Sequence, residues 1–206
     1  MLYYETIAPA TLELLTTLQQ IQGIRNTRLV GGTALALHIG HRTSVDLDLF
    51  TVDPEDDFLS VIAAIKNKGY QLDIQKQSTN ILLAMINDIK VDIVNYPYPW
   101  LLPEVREANI SLASVKDIAA MKLSAITNRG TKKDFIDLWY LLKIYSLEEM
   151  LEFYRQKYDT SASFMVLKSL TWFDDAENEV QPRMFDQNFD WKNVKSTINA
   201  EVKKLI

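Results

Sequence analysis

The chain has 206 residues, a formal net charge of −5, a pI of about 5.1, 48% hydrophobic residues and no cysteine. These values exclude a disulfide framework and a cysteine-ligated zinc site, and they argue against a broadly basic surface that binds nucleic acid indiscriminately. The first residues lack a basic segment followed by an apolar run, and no apolar stretch approaches the roughly 18 residues of a membrane span. A cytoplasmic chain with no membrane contact is expected. Its length suits a compact α/β core with a helical extension.

In chain order, Pro9 to Gln22 reads as a helix, with Leu12, Leu15, Leu18 and Ile21 on one stripe and Gly23 past its end. Arg28 to Val30 reads as a short strand running into Gly31-Gly32, and Thr33 to Ile39 as a short helix closed by Gly40. Ser44 to Phe50 alternates strictly and is expected to be a strand. Pro54 to Lys68 follows as a helix, with Pro at its first position and Gly69 after its end. Three β-like runs come next, Tyr70 to Gln77, Ile81 to Ile86 and Ile89 to Asn95, the last two joined by a tight turn at Asn87-Asp88.

Tyr96, Tyr98 and Trp100, spaced by prolines, read as a packed linker towards a helical half. Three helix starts carry an acid three residues after Ser or Thr: Ser114 with Asp117, Thr131 with Asp134, and Ser146 with Glu149. Ser163 to Trp172 and Asp190 to Leu205 are further helices, and Trp139 to Leu142 read as core. The reading is thus an α/β (α+β) core over residues 1–110 and a helical region over residues 111–206. The acidic balance confines any RNA contact to a local basic patch. Ile118 to Lys133 is the candidate, with Lys122, Arg129, Lys132 and Lys133.

The chemistry-bearing residues begin with Asp46 and Asp48. In a strand Val45, Leu47 and Leu49 point to the core, and the two acids share the opposite face. Neighbouring carboxylates repel, so the pair calls for solvent or a cation, and carboxylate oxygens suit Mg²⁺. Gly31-Gly32-Thr33 joins a strand to a helix start, where the absence of a Cβ lets a phosphate approach unpaired N–H groups. Asp92 sits in an otherwise apolar strand, a costly place for an acid without a partner or a metal. Taken singly each feature has an ordinary explanation; together they form a rarer constellation. His38 and His41 are separated by the helix-ending Gly40 and are not read as a shared metal site.

The order Gly31-Gly32-Thr33, Asp46-x-Asp48, Asp92 resembles the DNA polymerase β-like nucleotidyltransferase superfamily. The stretch from Gly31 to Phe50, and that from Asp117 through Lys122 and Arg129 to Asp134 and Asp137, look like the AbiEii/AbiGii toxin family. The resemblance implies a nucleotidyltransferase mixed sheet flanked by helices, followed by a helical C-terminal region. It implies an NTP substrate and a two-metal Mg²⁺ site on Asp46, Asp48 and Asp92. Gly31, Gly32 and Thr33 are then expected to cradle the phosphates and Lys122 to neutralise them, with Asp134 accepting a proton or orienting Lys122 or Arg129. Asp137 is a weaker candidate on the same helix face.

Members of that family are toxins of type IV toxin–antitoxin and abortive-infection systems, and some add nucleotides to tRNA 3′ ends. The expected acceptor is therefore a macromolecule, RNA such as tRNA, with a cognate antitoxin as partner and phage defence as the setting. Two alternatives stay open: an antitoxin-like protein adenylyltransferase, and a non-catalytic nucleotide-binding module.

Overall fold

The computed structural model describes residues 1–52, 58–160 and 163–206. Two compact units are interleaved along the chain. The first comprises Met1–Gly40, Ser44–Pro99 and Pro103–Ala113, and the second His41–Thr43, Trp100–Leu102 and Ser114–Ile206.

The first unit holds a mixed seven-stranded sheet. Its elements are α1 (Pro9–Leu18), β1 (Arg28–Leu29), α2 (Gly31–Ile39), β2 (Leu47–Thr51), α3 (Phe58–Asn67), β3 (Leu72–Gln77), β4 (Ile81–Ile86), β5 (Ile89–Asn95), β6 (Val105–Glu107) and β7 (Ile110–Leu112). The strand order is β3-β4-β5-β2-β1-β7-β6. β5 and β2 run parallel, as do β1 and β7; the other pairs are antiparallel.

Alternation along the central strands separates two faces of the sheet. Leu47, Leu49, Val91, Ile93, Leu82 and Ala84 are buried, and the registers pair Leu47 with Val91, Leu49 with Ile93, Leu82 with Ile93 and Ala84 with Val91. On the other face Asp48, Asp92 and Leu83 are half-buried neighbours. That face is free to carry chemistry because the opposite one supplies the core.

Several sequence expectations shift here. α2 begins at Gly31 rather than Thr33, so the two glycines form its first turn. β2 begins at Leu47, and Val45, expected in the core, is 65% exposed because it lies before the first paired residue. The Asn87-Asp88 turn is present, both residues left-handed. A second hairpin, β6 to β7, turns at left-handed Ala108 and Asn109 in a stretch not expected to form strands. Residues 54–57 of the expected third helix lie outside the described residues.

The second unit is helical: α4 (Val115–Asn128), α5 (Lys132–Leu141), α6 (Leu147–Tyr158), α7 (Ser163–Leu170), α8 (Asp174–Glu177) and α9 (Trp191–Lys203). Its core includes Ile118, Leu123, Phe135, Leu138, Met150, Val166, Leu170 and Ile198. Ser146 and Glu149 close a full capping box at α6. Ser114 caps α4 by accepting from the Asp117 amide, whereas the Thr131 hydroxyl turns to the Asp134 carboxylate, 2.5 Å away.

Candidate active site

The site in the first unit is built from one parallel strand pair and one helix start. β2 and β5 pair Asp48 with Asp92, so their carboxylates rise side by side from the half-open face. Adjacent strands lie about 4.8 Å apart. The register continued one residue back, beyond the first paired residue Leu47, runs from Asp46 towards Lys90. Carboxylates at this spacing repel each other, and the arrangement demands positive charge.

Part of that charge comes from Lys90, which the sequence reading passed over. Its ammonium donates to Oδ2 of Asp92 at 2.9 Å. Burial works against its charged form, but attraction to Asp92, Asp48 and Asp46 prevails and raises its pKa. The other Asp92 oxygen, Oδ1, is buried and has no hydrogen-bond partner among the described residues. Lys90 was findable: two residues before Asp92, it must share its strand face.

Gly31 meets the same carboxylates from the helix side. Its φ is +68°, and a Cβ on it would stand 2.2 Å from Oδ2 of Asp48. Only glycine lets the first turn of α2 approach this acid so closely. The first amides of a helix have no partner within it, and they form a positive end beside the acids. Thr33, however, turns its hydroxyl inward. It is 1% exposed, its Oγ1 lies 2.7 Å from the Ser44 hydroxyl, and it donates to the Asp46 carbonyl. It anchors the approach to Asp46, leaving only its backbone for a phosphate.

The donor set fits a hard divalent cation. Carboxylate oxygens are gathered on one face, and one of them is buried and unsatisfied. Among the described residues no three acidic or histidine side chains converge into a ready-made cage. Mg²⁺ sites that use one or two carboxylates leave the remaining positions to substrate phosphates and water.

Lys122 and Asp134 lie in the second unit, in a buried ionic cluster. The Lys122 ammonium is 2.9 Å from Asp134 and 2.6 Å from Asp137. Asp137 also accepts from Arg42 Nε at 2.7 Å, Arg42 Nη2 at 2.9 Å, and His41 Nε2 at 2.8 Å. Asp134 further accepts from Arg129 and Thr131. Burial opposes the charge on both acids, yet the surrounding cations hold their carboxyls well below the usual range. Burial likewise opposes the Lys122 charge, and Asp137 and Asp134 outweigh it, raising its pKa. Asp137, the weaker candidate by sequence, is the hub.

The basic patch shrinks accordingly. Lys122 is buried and paired, and Lys132 is 8% exposed, its ammonium bonded to the carbonyls of Glu177 and Glu179. The two histidines part company. His38 Nε2 meets the Ala113 carbonyl, and His41 belongs to the Asp137 cluster. No helix among the described residues is long and apolar enough to cross a membrane.

Solved structures share this architecture. A candidate nucleotidyltransferase from H. pylori superposes with a TM-score of 0.61 at 17% identity, over 96% of this chain and 95% of that one. MenT4, the nucleotidyltransferase toxin Rv2826c from Mycobacterium tuberculosis H37Rv, superposes with a TM-score of 0.58 at 16% identity, over 96% and 82% of the two chains. An uncharacterized protein of Aquifex aeolicus (strain VF5) is 37% identical over 183 residues, 86% of this chain and 87% of its own length. The fold is that of a nucleotidyltransferase. The chain belongs to the nucleotidyl transferase AbiEii toxin family of type IV toxin–antitoxin systems, which it matches over residues 13–204, and it is a transferase of that class.

Proposed function

We propose that this chain transfers a nucleoside monophosphate from an NTP to a terminal hydroxyl of RNA, with tRNA as the favoured acceptor. This is the toxic activity of a cytoplasmic type IV toxin, restrained by a cognate antitoxin and serving phage defence. The observation that carries nucleotidyl transfer is the Asp48–Asp92 pair beside Gly31, with Oδ1 of Asp92 unsatisfied. The acceptor is carried by the family resemblance.

In the reaction, the acceptor oxygen bonds to the α-phosphorus as the bond to the bridging oxygen of pyrophosphate breaks. Asp92 faces the acceptor hydroxyl and takes its proton. The amides of Gly31, Gly32 and Thr33 bind the terminal phosphates at the start of α2. Asp46, Asp48 and Asp92 would hold Mg²⁺ as a two-ion site, which when bound would supply positive charge against the triphosphate. Thr33 fixes Asp46 through its carbonyl. Lys122 and Asp134 act as positioning residues. Lys122 has both its carboxylates in place, and Asp134 is held too acidic to serve as a base.

A protein acceptor is the second reading, favoured by one observation: Lys122 and Lys132 are buried and bonded, which leaves less cationic surface for RNA than the sequence suggests. Incubation with Mg²⁺, each α-labelled NTP, total RNA and protein extract separates the two. Label in tRNA-sized RNA that disappears in Asp46→Asn supports the first reading. Label in a protein band supports the second. No label from any NTP overturns both.

A further inference from the structure

Two hydroxyls connect the start of α2 to the acid strand, and their hydrogen bonds have a direction. Thr33 Oγ1 donates to the Asp46 carbonyl and lies 2.7 Å from Ser44 Oγ. A hydroxyl carries one hydrogen. Thr33 uses its own on the carbonyl, which can only accept, so the bond between the hydroxyls runs from Ser44 to Thr33. A hydroxyl that accepts one such bond donates more strongly in the next. Asp46 lies one residue before the paired register of β2 begins at Leu47, and the Thr33 bond reaches its main chain there. Ser44 is itself held from the other side. Its amide donates to the carbonyl of buried Thr6 at 2.9 Å, Thr6 Oγ1 donates to the Tyr3 carbonyl at 2.7 Å, and the Tyr3 amide donates to the Leu37 carbonyl of α2 at 2.8 Å. Residues 3–6 thus tie Ser44 to the same helix that carries Thr33.

We propose that Ser44 is a positioning residue for Asp46: by donating to Thr33 it fixes the hydroxyl that holds the Asp46 main chain, and so aims the Asp46 carboxylate at the divalent ion. The inference rests on the metal-dependent reading of this site. The Ser44 bond selects the Thr33 rotamer, the Thr33 bond sets the peptide plane at Asp46, and the Asp46 side chain departs from that backbone. Without the Ser44 hydroxyl Thr33 can still donate, but nothing in this relay selects its rotamer. The carboxylate then samples a wider range, and ordering it costs part of the free energy of binding the ion.

The test uses the full chain and Mn²⁺ as probe, with binding followed by the loss of the free-ion paramagnetic signal and stability by thermal melting. Ser44→Ala is expected to bind Mn²⁺ about three- to tenfold more weakly than the parent, the effect of one hydrogen bond. Thr33→Val is expected to bind it more weakly as well. The double variant should bind no more weakly than Thr33→Val alone, because Ser44 acts through Thr33. Thr27→Val is the control for a buried hydroxyl lost elsewhere in the same unit: Thr27 is buried and its Oγ1 donates to the Ile24 carbonyl at 2.7 Å. It is expected to melt lower and keep the parent's affinity for Mn²⁺. Parent-like affinity in Ser44→Ala, additive losses in the double variant, or an equal loss of affinity in Thr27→Val, while Asp46→Asn still abolishes Mn²⁺ binding, overturns the role of Ser44 and leaves the metal reading standing. Failure of the parent to bind Mn²⁺, or binding that Asp46→Asn leaves intact, removes the metal reading and this inference with it.

Discussion

Asp48 and Asp92 face each other across a parallel strand pair, on the one sheet face that the core does not need. Such proximity is unfavourable in itself, since each carboxylate raises the cost of ionising the other. Neutralising one of them should therefore harm catalysis without harming the fold. Asp48→Asn is expected to lose on the order of 100-fold or more in labelled transfer, while its metal-free melting temperature stays equal to or above that of the parent. A variant that lost activity only because it unfolded would contradict this account, and circular-dichroism melting distinguishes the cases.

Gly31 offers a sharper geometric test. An added methyl would meet Oδ2 of Asp48 at 2.2 Å, and the residue sits at φ +68°. Gly31→Ala is expected to cost about 1–2 kcal/mol from the left-handed backbone, and to lose about 100-fold in turnover because the acid must shift by roughly an ångström. Gly69 is the control. Its φ is +83° and nothing among the described residues lies within 4 Å of its added Cβ. Gly69→Ala should show a similar backbone cost in melting and keep its activity. Equal activity losses in the two variants would remove Asp48 displacement as the cause.

The acid pair was legible in the sequence because a period of two is hard to disguise. Val45-Asp46-Leu47-Asp48-Leu49 and Lys90-Val91-Asp92 alternate, and the strands β4 and β5 start and end where the pattern says they should. The β6–β7 hairpin was not legible. Its strands are three residues each, and its turn uses Ala108 and Asn109 rather than glycine. Lys122 misled for a different reason. A lysine on a helix ordinarily faces water; its burial depends on Asp137 one turn along α5, and Asp137 is in turn tied to His41 and Arg42 from a distant segment. No local pattern records such a meeting.

That cluster makes the second unit sensitive to mild acid. Burial lowers the pKa of His41 below its ordinary 6.5, and Arg42 and Lys122 push it the same way against the pull of Asp137. Nδ1 is buried, and the neutral ring, donating from Nε2 to the Asp137 carboxylate, is the form that burial favours. The unfolded chain takes up a proton as pH falls through about 6.5, and the folded chain resists it. Stability should therefore decline from about pH 6.5 downward to the lowered folded value. The depressed carboxyls of Asp134 and Asp137 add a further loss only below about pH 4. Melting temperatures of the parent and His41→Gln between those limits check this. The variant curve should be flatter in the upper range, and parallel curves would assign the decline to other groups.

Asp117 and Lys157 form a second buried pair in the helical unit, and here the two partners are unequal. Both side chains are 0% exposed, with 2.8 Å between Nζ and Oδ1. Asp117 also accepts from the amides of Leu101 and Leu102 and from the Ser114 hydroxyl at 2.6 Å. Lys157 donates to that carboxylate, and its ammonium lies 4.6 Å from the Trp100 ring. Removing the acid takes the carboxylate from a buried cation and the acceptor from two amides, so Asp117→Ala is expected to cost about 3–5 kcal/mol in denaturant titration. Lys157→Met should cost less, because Asp117 keeps the Leu101 and Leu102 amides and the Ser114 hydroxyl as donors. The double variant should be more stable than Asp117→Ala alone, since the buried ammonium is removed together with its carboxylate. Strict additivity of the two single losses would mean that the pair is not coupled, and that the Leu101 and Leu102 amides account for the role of Asp117.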